Sequence, residues 1–94
     1  MKAWIERQLK KYNRGKVFVH FHPHAELRMI DRGADVDKIV ETVRKGKVLE
    51  RKSTAPNRIA FSFFFKEGFT YVVIVKLYPN SFQVRTVWKR KGRI

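Results

Sequence analysis

The sequence predicts an α+β fold, with N-terminal helices packed on one face of a twisted, mainly antiparallel sheet of about four strands. Two observations carry this prediction. Helical spacing of apolar residues dominates the first half of the chain, whereas strict apolar alternation dominates the second. The alternating runs are separated by only two or three turn residues, Lys66-Glu67-Gly68 and Pro79-Asn80, which folds consecutive strands into hairpins. Helices first and strands after give a two-layer arrangement. A chain of 94 residues is expected to form a single domain, with residues 1–14 a helical extension and 16–90 the α+β core.

The first helix is predicted over residues 1–13, because Trp4, Ile5, Leu9 and Tyr12 share one side of a helical wheel opposite Lys and Arg. Gly15 ends it, and its apolar side is expected to cover the sheet. Lys16 to His22 is a short β-like run. Pro23 suits the first turn of a helix, where its missing N–H has no partner to lose. That helix runs to Arg32 and stops at Gly33, with Leu27, Ile30 and Ala34 expected to face the core. Asp35 is the predicted cap of a third helix with a Val36, Ile39, Val40 and Val43 stripe, closed by Gly46. Lys47 to Lys52 is a candidate edge strand. Asn57 to Phe65 alternates through Ile59, Phe61, Phe63 and Phe65, which favours core packing over base stacking for these rings. Phe69 to Tyr78, the most apolar run, is expected to be central. In Ser81 to Lys89, Phe82, Val84, Thr86 and Trp88 alternate with Gln83, Arg85, Val87 and Lys89.

Charge narrows the function. Lys and Arg number 22 against 8 Asp and Glu, a formal +14, and the isoelectric point is about 10.7. Self-repulsion at this charge opposes compactness, and the commonest polyanion to relieve it is a nucleic-acid backbone. An acidic protein partner or a merely solvated surface are the alternatives. Cysteine is absent, so stability must come from packing, for which eight Phe, three Tyr and two Trp are ample. Residues 1–6 do not resemble a signal peptide, and the longest apolar stretch, Phe69 to Val75, is too short for a bilayer. A soluble, cytoplasmic protein with no membrane partner is expected.

The most informative segment is His24-Ala25-Glu26-Leu27-Arg28-Met29-Ile30-Asp31-Arg32-Gly33. Residues four apart stack along a helix, so His24, Arg28 and Arg32 form one stripe. It places one titratable imidazole beside two permanent cations. A solvated stripe, or Arg paired with Asp31, Asp35 or Glu41, is the plainer reading. The tail Trp88-Lys89-Arg90-Lys91-Gly92-Arg93-Ile94 adds four basic residues that either track a phosphate backbone or fray into solvent.

The pattern His-Ala-x-x-Arg-Met-x-x-Arg-Gly, followed by a Val/Ile-rich helix and three or four strands, resembles domain-of-unknown-function family 4258. The likeness covers roughly residues 20 to 88, and Val84-Arg85-Thr86-Val87-Trp88 resembles that family's final strand. Where the family usually has a small hydroxyl residue two positions before the helical His, this chain has His22, a weaker helix cap. The family is similar in architecture to RelE-type toxins and the barnase, EndoU and colicin ribonucleases. That likeness implies a RelE-like fold and a metal-independent endoribonuclease without cofactors, as the toxin of a toxin–antitoxin pair whose acidic antitoxin covers the basic face. In such an enzyme His24 acts as base or acid, Arg28 and Arg32 clamp phosphate, and Arg85 and Lys76 stabilise the transition state. Trp88 or Tyr71 would stack a base, and Lys89, Arg90 and Lys91 would follow the RNA backbone. The alternative is a non-catalytic RNA- or DNA-binding protein using the same surface, and a third reading is a structural subunit that meets an acidic protein. His20, His22 and His24 have the alternation of zinc ligands in a strand, but Pro23 breaks that strand and no metal site is expected.

Overall fold

The alternating runs of the second half pair as an antiparallel meander in a computed structural model that describes residues 1–93. Among the described residues there are three helices, α1 (Ala3–Leu9), α2 (Pro23–Asp31) and α3 (Val36–Lys45). There are five strands: β1 (Phe18–Phe21), β2 (Lys47–Val48), β3 (Arg58–Phe64), β4 (Phe69–Tyr78) and β5 (Ser81–Lys91). The sheet order is β1-β5-β4-β3-β2. The expected count of about four is thus one short. The fifth strand is β1, which pairs parallel to β5. A parallel pair needs a long crossover, here supplied by α2, α3 and then strands β2 to β4.

All three helices contribute to one core. Ile5 of α1, Ala25 of α2 and Ile39 and Val43 of α3 are fully buried with Ile59, Phe61, Val73, Val75, Phe82, Val84 and Val87. The first helix is shorter than residues 1–13, yet Ile5 makes it an integral layer, and the Tyr12 hydroxyl donates to the Tyr78 carbonyl at 2.6 Å. Lys47 to Lys52 is not one edge strand. Pairing with β3 lasts two residues, and Glu50–Lys52 then turns as a 3₁₀ helix while Ser53 Oγ accepts from the Ala60 N–H.

Helix α2 departs from expectation in its orientation. Leu27 and Ile30 are 62% and 70% exposed, whereas Ala25 is buried and Met29 and Ala34 pack against the core. Its ends explain this. The N–H of His22 donates to the Val84 carbonyl, and the Arg32 guanidinium donates to the Val87 carbonyl. Pinned at both ends, α2 runs along the edge of β5 beyond the point where β1 stops, and the small Ala25 permits close approach. Leu27→Ser and Ile30→Ser should therefore each change stability by no more than ~0.5 kcal/mol in urea titrations. A loss of ~2 kcal/mol or more, the cost of truncating a buried leucine, would contradict this orientation.

A second departure lies in β5. Val75 pairs with Val84 and Ile74 with Thr86, so Arg85 is the extra residue of a β-bulge. The bulge inverts the alternation beyond it. Phe82, Val84 and Val87 face the core, whereas Thr86 and Trp88 face the opposite side with Gln83.

Candidate nucleic-acid interface

The sheet face opposite the helices gathers cationic, polar and aromatic side chains. Residues paired across a ladder share a face, so the register defines its rows. One row runs His20, Gln83, Lys76, Arg58, and the row beside it Phe18, Ser81, Tyr78. Past the bulge come Trp88, Val72, Ser62, Lys47 and then Arg90, Thr70, Phe64. None of the eight Asp and Glu residues lies in a strand; all are on helices or in turns. The strands instead hold Lys47, Arg58, Lys76, Arg85, Lys89, Arg90 and Lys91. Charge is therefore segregated by element, and the open face presents cations and aromatic rings together.

At one end of this face three polar groups converge. The rings of His22 and His24 stack at 5.2 Å between centroids, 13° from parallel. His22 caps α2, its Nδ1 accepting from the His24 N–H at 3.2 Å. The cap that the sequence left weak is thus made by imidazole. Arg85, projected by the bulge, donates to Gln83 Oε1 at 2.9 Å and acts electrostatically on His22. Nearby, His20 Nε2 shares a hydrogen bond with Ser81 Oγ at 2.9 Å and its ring stacks on Phe18. Among the described residues, no three His, Cys, Asp or Glu side chains group as a metal site.

The His22 pKa lies below its ordinary 6.5, first because protein displaces part of its hydration, then because Arg85 and His24 disfavour a second charge. Its basic Nδ1 is committed to the cap, so the neutral ring carries its proton on Nε2 and offers a donor to solvent. The unfolded chain binds this proton more readily than the folded one. The stability due to neutral His22 is therefore complete above about pH 6.5 and is lost as pH falls toward the depressed value. His22→Ser keeps a capping oxygen without the titration. Its urea midpoint should fall less between pH 7 and 5 than that of the wild type; parallel falls would refute this.

The predicted stripe is only partly a unit. His24 is exposed beside His22, and the exposed Arg28 side chain makes no hydrogen bond among the described residues. Arg32 lies 4.1 Å over the Trp88 ring while it holds the Val87 carbonyl, so it serves the fold as well as the surface. Lys76 and Arg90 stand on the open face. Lys89 and Lys91 turn to the helix side, where Lys89 bonds the Gly33 carbonyl and covers Phe69. Tyr71 is in the core, 2% exposed, with its hydroxyl accepting from the Asp35 N–H. It is not available to stack a base. Ile94 of the basic tail lies outside the described residues.

Sequence reasoning passed over Gln83, Tyr78 and Arg58, and weighed His22 only as a helix cap and a metal ligand. The alternation of His20 and His22 was a usable signal. Their partners on β4 and β5 are fixed by register, which the sequence does not display. A model of the family described as Domain of unknown function (DUF4258) matches residues 21–89. No curated protein and no solved structure matches the chain.

Proposed function

The chain belongs to the DUF4258 family, and we propose that it is a metal-independent endoribonuclease acting at His24, His22 and Arg85. The observation that carries the reading is the stacked imidazole pair beside a bulge-projected guanidinium, at the end of a strand-borne face without carboxylates among the described residues. His22 has its basic nitrogen in the helix cap, which leaves His24 as the imidazole free to move a proton. His24 takes the proton of a ribose 2′-OH, and the oxygen attacks the adjacent phosphorus. The bond to the 5′-oxygen breaks, that oxygen recovers the proton from His24, and a 2′,3′-cyclic phosphate remains. Arg85 neutralises the phosphorane oxygens in bidentate fashion, and His22 Nε2–H and Lys76 add donors.

The one-sided helix layer on an antiparallel meander supports a RelE-like architecture, and with it the role of a cytoplasmic toxin that an acidic antitoxin restrains. The exposed Leu27 and Ile30 beside Arg28 offer such a protein an apolar strip on α2. Incubation of the purified chain with single-stranded RNA tests the reading. Fragments ending in 2′,3′-cyclic phosphate, absent with the same sequence as DNA, are expected. The same cation-rich face also serves a non-catalytic RNA- or DNA-binding protein. Salt-sensitive binding with both nucleic acids intact would establish that instead.

A further inference from the structure

Beyond the histidine cluster, the open face contains a cavity of about 420 Å³ lined by Lys52, Val72, Trp88 and Arg90, within the ~300–1,000 Å³ span of small-ligand sites. Its floor is apolar, since Val72 is 2% exposed and pairs directly with Trp88. Trp88 forms a wall and remains 43% exposed. Arg32 reaches this ring from α2, on the outer edge of β5, at 4.1 Å. It backs one indole face, while the cavity lies on the inner side over β4. Lys52, delivered by the 3₁₀ turn that interrupts the edge strand, and Arg90 stand at the rim. An aromatic wall held by a cation, an apolar floor and two rim cations suit a flat, neutral ring attached to a phosphodiester chain.

We propose that this cavity is a nucleobase subsite that takes one unstacked base of single-stranded RNA, with its flanking phosphates on Lys52 and Arg90. Trp88 is three residues from Arg85, roughly 10 Å along β5, so one strand can occupy both places. The proposal rests on the reading of the open face as an RNA surface and adds a requirement for single-stranded substrate. A base inside a duplex is stacked on both faces and cannot enter.

The test uses a 2′-O-methyl RNA oligonucleotide, which has no free 2′-OH to react, and inorganic polyphosphate as a charge-only probe. Trp88→Ala should weaken oligonucleotide binding by roughly tenfold or more, leave polyphosphate binding within about twofold, and Trp88→Phe should restore most of the loss. In Trp4→Phe protein, where Trp88 is the sole indole, saturating oligonucleotide should quench fluorescence and polyphosphate should not. Equal binding by Trp88→Ala and wild type, parallel loss for both probes, or unchanged Trp88 emission at saturation would each overturn the subsite. Selective loss in a protein that never cleaves RNA would sustain the subsite and remove the nuclease reading. Cleavage that depends on His24 but not on Trp88 would do the reverse.

Discussion

Alanine at position 24 is expected to slow RNA cleavage by about 10²–10⁴-fold, the usual contribution of a positioned general acid–base. The expectation follows from which imidazole nitrogen is free. His22 spends Nδ1 on the α2 cap, and His20 is turned to Ser81. His24 is exposed and stacked on His22, the ring on which Arg85 acts electrostatically. Position 24 is in the first turn of α2, where alanine is well tolerated and no side-chain hydrogen bond is lost. Far-ultraviolet circular dichroism and the urea midpoint should therefore stay close to wild type. Rates measured under single-turnover conditions decide the matter, with Leu27→Ser protein purified in parallel as the control. A contaminating nuclease would act equally in all three preparations. Wild-type rates in the His24→Ala protein would sink the proposed mechanism.

Gly46→Ala is the largest expected loss of stability. A Cβ at this position would lie 2.4 Å from the Thr42 carbonyl oxygen and 2.6 Å from that of Ser62. Both are backbone atoms, one closing α3 and one in β3, so neither can swing aside as a side chain could. Arg14 holds the same junction, donating to the Gly46 carbonyl at 2.6 Å and the Val43 carbonyl at 2.9 Å. Its guanidinium stacks 4.4 Å over Phe61. Relief of the clash must separate α3 from β3 and loosen that clamp. A cost of ~1–3 kcal/mol or more is expected, and each kcal/mol is worth ~4–8 °C of Tm in a chain of this size. Gly15→Ala is the comparison, because its Cβ would meet only Asn13 Oδ1 at an ordinary 3.5 Å. A thermal melt in which both variants match wild type would refute the packing argument.

Local chemistry was legible in the sequence to the extent that it is decided within a few residues. Pro23 opens α2, Asp35 caps α3 through the Asp37 N–H, and Gly33 ends α2 at a φ of 61° that side-chain-bearing residues rarely adopt. The two short turns produced the meander as expected, and the Ile59, Phe61, Phe63, Phe65 alternation placed those rings on the core side. Part of the candidate site was legible too: helical spacing singled out His24, whereas Arg85 entered only through the family resemblance.

The expectations that failed each depended on a partner, although the central place of Phe69 to Tyr78 was read correctly. Strict alternation in β5 put Arg85 and Val87 on one face, but a bulge is a mismatch between two strands and leaves no mark on one. Leu27 and Ile30 satisfied helical spacing for a core face, yet the ends of α2 are tied to β5 carbonyls that rotate Ala25 and Met29 inward instead. Tyr71 and Trp88 looked equivalent as aromatic residues on strands. Register sends one into the core and the other to the open surface. The sequence by itself determined the α+β class, the turns and caps, and a cationic chain whose strands carry no acid. Only the tertiary structure decided which face those strands present, because a strand's two sides are alike until another layer covers one of them.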